Sequence, residues 1–189
     1  MATPTPSNVM VGAAYMYLAP ANTAMPAQSV AFGGTWPSGW VYVGATEAGV
    51  KFSVDRKTQD IMIEEQSTPV LVTTDTMTAS VEASLAEDTV ANMQWAYGGG
   101  TLTTVAATTT NPGYTTLALS DTLEQVAVGF EGLNTFGLAR RLYIPVAISA
   151  AKVDTEYRRA KAARLYPITI TAICPPADIV VTEVTAPAV

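Results

Sequence analysis

Histidine is absent from the 189 residues, which removes the side chain best suited to proton transfer near neutral pH and the commonest metal ligand. Serine and cysteine hydrolase arrangements built on an imidazole base go with it. The single cysteine, Cys174, sits directly before Pro175 and Pro176, so no intramolecular disulfide can form and a reducing compartment is the simpler reading. Without a histidine to activate it, this thiol is expected to be structural and buried. Gly-x-Ser-x-Gly, Gly-x-Gly-x-x-Gly and a phosphate loop ending in Gly-Lys are all missing. The run Gly98-Gly99-Gly100 follows a helical pattern instead of preceding one, and so reads as a helix stop. No run is apolar and long enough to span a bilayer as a helix, and Met1-Ala2-Thr3-Pro4-Thr5-Pro6 has neither the basic start nor the apolar stretch of a signal peptide.

Charge is also scarce, at 14% of residues against 49% hydrophobic. Such a chain can offset the ordering entropy of one domain but has little charge with which to cover a surface, as expected if much of that surface is buried against copies of itself. The net charge of -6, from 16 acids and 10 bases, repels nucleic acid and anionic membranes. Seven of the ten bases (Arg140, Arg141, Lys152, Arg158, Arg159, Lys161, Arg164) fall in the last third. Either they attract an acidic face of a neighbouring copy, or they are scattered solvated charge.

What is abundant is threonine and valine, whose branched side chains fit half-buried pleated strands, so a mainly β domain is predicted. One unit, 1–189, is expected, with an N-terminal arm over about 1–8, a Pro/Gly/Ser connection over about 19–39 and a C-terminal arm over about 175–189. Strands are predicted over Val9 to Leu18 and Trp40 to Val43. Val50, Phe52 and Val54 alternate with Lys51, Ser53 and Asp55; a turn at Arg56-Lys57-Thr58 would then return the chain along Gln59 to Glu65 as a hairpin. Val72 to Leu85 is the most informative stretch. It sets Thr74, Thr76, Thr78, Ser80, Glu82 and Ser84 on one face and Met77, Ala79, Val81, Ala83 and Leu85 on the other, which implies a broad sheet wet on one side. A helix over Thr89 to Tyr97, acid-capped by Glu87-Asp88 and stopped at Gly98, follows. Ala150 to Arg164 has helix formers too. Strands over Thr101 to Thr110 and Tyr114 to Leu119 flank the turn Asn111-Pro112-Gly113, and Leu123 to Phe130, Arg141 to Ser149 and Leu165 to Ile173 complete the set.

Carboxylates are the remaining catalytic candidates, yet adjacent acids on a strand point to opposite faces, so Glu64-Glu65 cannot flank one bond, and Glu87-Asp88 has a use at a helix start. No dense acidic loop of the calcium type occurs. The aromatic set Trp36, Trp40, Trp95, Tyr15, Tyr17, Tyr42, Tyr143 and Tyr166 reads as core and subunit packing ahead of a sugar platform. No catalytic, cofactor or metal residue is assigned, and no enzyme is expected.

Four stretches, in order, resemble the major tail tube proteins of long-tailed bacteriophages, particularly those infecting actinobacteria. They are Asn8-Val9-Met10-Val11-Gly12 with Tyr17-Leu18-Ala19-Pro20 and Ala24-Met25-Pro26; Gly39-Trp40-Val41-Tyr42-Val43-Gly44 with Glu47-Ala48-Gly49-Val50-Lys51-Phe52-Ser53; Gln66 and Pro69-Val70 with the Thr-rich strand to Leu85-Ala86-Glu87; and Arg141-Leu142-Tyr143-Ile144-Pro145 with Tyr166-Pro167-Ile168-Thr169-Ile170-Thr171-Ala172. The likeness spans nearly the whole chain but includes no second immunoglobulin-like domain. It implies a β-sandwich or partial barrel with one flanking helix, hexameric rings whose inner sheet is continuous across subunits, stacking around a tape measure protein, and partnership with tail terminator and tip proteins. It also implies a place in the virion tail after assembly in the host cytoplasm, and passage of viral DNA without specific binding. Glu64, Thr74, Thr76, Thr78, Ser80 and Glu82 are the expected lumen-lining residues, an acidic and hydroxyl wall with no fixed cation to hold phosphates. A tube of a phage-related bacterial injection machine would share the architecture, and a carbohydrate-binding adhesin would share the composition but stay monomeric.

Overall fold

Alternating sequence becomes strand wherever one side finds cover, and in this protein most of that cover comes from a single sheet bent over on itself. The structure, a computed structural model, describes residues 14–27, 29–31, 33–64, 66–133, 139–155 and 165–183. In chain order come β1 (Ala14–Pro20), β2 (Val41–Tyr42), β3 (Thr46–Ile63), β4 (Gln66–Leu85), helix α1 (Val90–Ala96), β5 (Thr101–Val105), β6 (Tyr114–Ala118), β7 (Gln125–Leu133), β8 (Ala139–Ser149), β9 (Tyr166–Ala172) and β10 (Val180–Glu183). The main sheet is antiparallel, in the order β2-β1-β7-β8-β9-β4-β3 with β10 added on β8, while β5 and β6 form a separate pair. It is not closed into a barrel; the architecture is that of a β-sandwich with one helix.

Met16 and Leu18 of β1, Val81 and Leu85 of β4, Ile144 of β8 and Ile168 and Ile170 of β9 meet in the main core, with Tyr166 fully buried among them. That seven-strand order thus brings its first strands back over its last ones, and the period of two along each strand supplies the inward residues. On β1 the intervening residues Tyr17 and Ala19 are buried as well, because Trp36 and Trp40 cover the outer face. Their connection is therefore folded onto the body, not loose. Gly129 of β7 makes room for it: a Cβ there would lie within 2.6 Å of the Trp36 ring.

Several expectations need correction. No turn occurs at Arg56-Lys57-Thr58; β3 runs straight through to Ile63 and the hairpin reverses after it, with Glu64 in the turn. Polarity alone suggested the turn, but none of those residues is a Gly, Pro, Asn or Asp, and polar side chains are tolerated in a strand wet on both faces. The acids do not cap α1 either. Thr89 is the N-cap, its Oγ1 accepting from the Asn92 amide at 3.1 Å. Glu87 Oε1 instead accepts from the Ala45 amide at 3.1 Å, and the Tyr166 hydroxyl donates to the Asp88 carboxylate. Gly98 does end the helix, with φ of 80° that a side chain would strain. Ala150–Thr155 is not helical, and 156–164 lies outside the described residues, as do 1–13 and 184–189. The C-terminal segment is no free arm where described, since Val180–Glu183 pairs with Arg140–Tyr143 as β10.

Candidate assembly and channel surface

β3 and β4 form a hairpin with strands of 18 and 20 residues. Only its base belongs to the body: β9 pairs with β4 from Ser80 to Leu85, and beyond that point β4 has β3 as its sole described neighbour. Among the described residues the outer part, about 45 Å long at roughly 3.3 Å per residue, thus has no strand paired along either edge. Its apolar side chains are bare too. Val54, Ile61, Met62, Ile63, Val70, Leu71 and Val72 are each about half exposed, from 43% to 55%. Near the base the odd residues Ala79, Val81, Ala83 and Leu85 are buried, as the alternation requires.

Register decides which side chains share a face, since directly opposed residues of paired strands point the same way. Lys51 opposes Glu82, Ser53 opposes Ser80, Asp55 opposes Thr78 and Lys57 opposes Thr76. Four of the six sequence candidates, Thr76, Thr78, Ser80 and Glu82, therefore stand in one row. Thr74 does not continue it. Thr58 pairs with Thr74 directly after Lys57 pairs with Thr76, so Asp75 is an extra residue in β4 and the alternation reverses beyond it. Thr74 shares the face of Thr58, and Leu71 and Thr73 take its place in the row beside Ile61 and Gln59. Glu64 sits exposed in the turn. The row also carries two lysines, Lys51 and Lys57. Lys51 Nζ lies 3.0 Å from Glu82 Oε2, with both side chains exposed. Strict alternation in Lys51, Ser53 and Asp55 was the signal for half of this, but the misplaced turn hid Lys57 and the pairing partner of each.

Across this protein the described residues bring together no group of acids and thiols able to hold a metal. The profile of the family described as Phage tail tube protein matches residues 1–180. The chain belongs to that family. It is a structural, non-enzymatic subunit of the phage tail tube, located in the virion tail. No curated protein gives a significant match. No helix among the described residues is long and apolar enough to cross a membrane.

The tail tube fold also anchors its long connection with charge. Arg141 and Glu131 are buried, 3% and 0% exposed, and meet at 2.8 Å between Nε and Oε2. The Arg141 guanidinium donates in addition to the carbonyls of Ala27, Val30 and Ala31, while Glu131 Oε1 accepts from the Gly33 amide at 2.9 Å. The pair therefore straps residues around 27–33 across β7 and β8. Arg141 is thus not available to a neighbouring copy, and Arg140 and Lys152 are paired within the subunit, to Glu183 and Asp154. The four remaining bases of the late cluster lie outside the described residues. Trp36, Trp40, Tyr17 and Tyr143 pack on one another, with Tyr17 stacked on Trp36 at 4.1 Å, and Tyr15 and the exposed Tyr42 join Tyr17, Trp36 and Trp40 around one open hollow. Burial, then the negative charge of Glu131, pushes the Tyr17 hydroxyl above its ordinary pKa of 10.0. Cys174, for which a buried thiol was expected, is only partly buried.

Proposed function

We propose that the subunit, a single tail tube domain over 1–189, closes into hexameric rings that stack into the tail tube, with β3–β4 ribbons joined edge to edge around the bore. The observation that carries this reading is the outer ribbon. A two-stranded ribbon is marginal by itself in water, and long bare edges invite pairing. Seating the β3 edge of one copy against the outer β4 edge of the next satisfies both, and covering each half-exposed apolar side chain would add on the order of 1 kcal/mol. Rings assembled this way in the host cytoplasm would stack around the tape measure protein, stop at the terminator and join the tip proteins.

Glu64, Thr76, Thr78, Ser80 and Glu82 are proposed to line the bore through which viral DNA leaves without specific contacts, while Thr74, paired with Thr58 past the bulge at Asp75, is left on the opposite face. The shared face of Thr76, Thr78, Ser80 and Glu82 supports this from the base to the middle of the hairpin. Electron microscopy of the purified subunit with its tape measure protein tests the assembly: stacked rings or tubes with a central bore are expected, and a species that stays monomeric at every concentration overturns it. Glu82→Lys and Glu64→Lys tails should form normally and eject DNA more slowly. Ejection at the unaltered rate in low salt removes these residues from the bore.

A further inference from the structure

The polar row on the ribbon is charge-balanced. Lys51 faces Glu82 directly across the strands, and Lys57 follows Asp55 by one side-chain repeat on the same face. The Lys51–Glu82 contact is worth little to the fold, because both side chains are exposed, 68% and 45%. Its placement matters more than its energy. Strand pairing holds the carboxylate opposite the ammonium whatever the side-chain rotamers do, so the cation is never far from its counter-charge.

We propose that Glu82 is a shielding residue that occupies the Lys51 ammonium and so keeps it from the phosphates of DNA in the tube. The proposal rests on the reading that this face lines the bore. Fixed cations bind DNA by replacing the counterions condensed on its phosphates, and a cation already neutralised by a tethered carboxylate has little net charge to offer. A weak attraction at one Lys51 would be repeated around each ring and along the stack, and multivalency turns such repeats into strong retention. Glu82 therefore prevents a brake built from many identical contacts. Asp55 stands in the same relation to Lys57, at a longer reach along one strand.

The test compares assembled tubes of the wild type, Glu82→Gln, Lys51→Gln/Glu82→Gln and the exchanged pair Lys51→Glu/Glu82→Lys. Each is incubated with a short fluorescent oligonucleotide, and the fraction retained is measured at low and raised salt. Glu82→Gln tubes should retain about tenfold more DNA at low salt and release it as salt rises. Both double variants should behave as wild type. Equal retention by Glu82→Gln and wild type, or retention by either double variant as strong as by Glu82→Gln, overturns the proposal. A density map of the same tubes separates the two ideas: Lys51 outside the bore defeats the channel reading itself. Lys51 inside the bore, without extra retention in Glu82→Gln, defeats only the shielding.

Discussion

The base and the outer part of the β3–β4 hairpin are built from much the same residue types, yet Val81 and Leu85 are completely buried while Leu71 and Val72 are 55% exposed. Both parts alternate or mix β-branched, hydroxyl and acidic side chains, so propensity does not distinguish them. Coverage does. At the base β9 completes the ladder and α1 and β1 close the inner face; farther out, among the described residues, the strands pair only with each other. A strand sequence therefore says that a face will be covered, and the subunit alone supplies the cover for only half of this hairpin.

The same rule, that cover and not residue type sets the energy, is tested most strongly by two ion pairs, one buried between β7 and β8 and one on the wet face of the hairpin base. Glu131→Ala leaves Arg141 buried without its carboxylate and should lower subunit stability by about 3–5 kcal/mol in chemical denaturation, whereas Lys51→Gln on the exposed face of the hairpin base should cost less than about 1 kcal/mol. Equal losses would mean that the two regions are equally solvated. Next in size, Leu85→Ala at the base should cost about 2–5 kcal/mol. Val72→Lys, on the face of the outer ribbon opposite the proposed bore row, should leave the free subunit within about 0.5 kcal/mol of wild type while abolishing tubes seen by electron microscopy. A folded Val72→Lys subunit that still builds tubes would show that the outer ribbon is not an interface. Thr89→Ala, which removes the helix cap beside the base, should cost about 1 kcal/mol. The smallest effect is one of pH. Since Tyr17 favours its neutral form in the folded state, the unfolded chain ionises first, and stability should fall as pH rises above 10.0 until the folded phenol also titrates. Phenolate absorbance in wild type and Tyr17→Phe measures it, and a Tyr17→Phe difference spectrum centred at or below that value would contradict the burial.

Much of the fold was legible because the code was local. Asn111-Pro112-Gly113 marked the connection between β5 and β6, Gly98 ended α1 and the odd residues of β4 marked the core face. What stayed hidden was register and long-range polar capture. Nothing near Arg56-Lys57-Thr58 announces that its partners lie at Thr74, Thr76 and Met77 and not at residues a few positions on, because pairing is chosen by the whole hairpin. Glu87 bonding Ala45, and Arg141 gathering carbonyls over a hundred positions upstream, are likewise tertiary events in residues whose types suggested a cap and a surface charge.

The additional residue at Asp75 means that side chains at the tip and at the root of the hairpin answer to opposite parity. Odd positions of β4 point into the core near the root and toward the other surface past Asp75. The two ends can therefore be altered independently: a substitution pattern that changes what the tip offers to a neighbour leaves the core it grew from untouched, and deleting that one residue would restore a regular ladder with Thr74 still opposite Thr58 and every tip side chain on its present face.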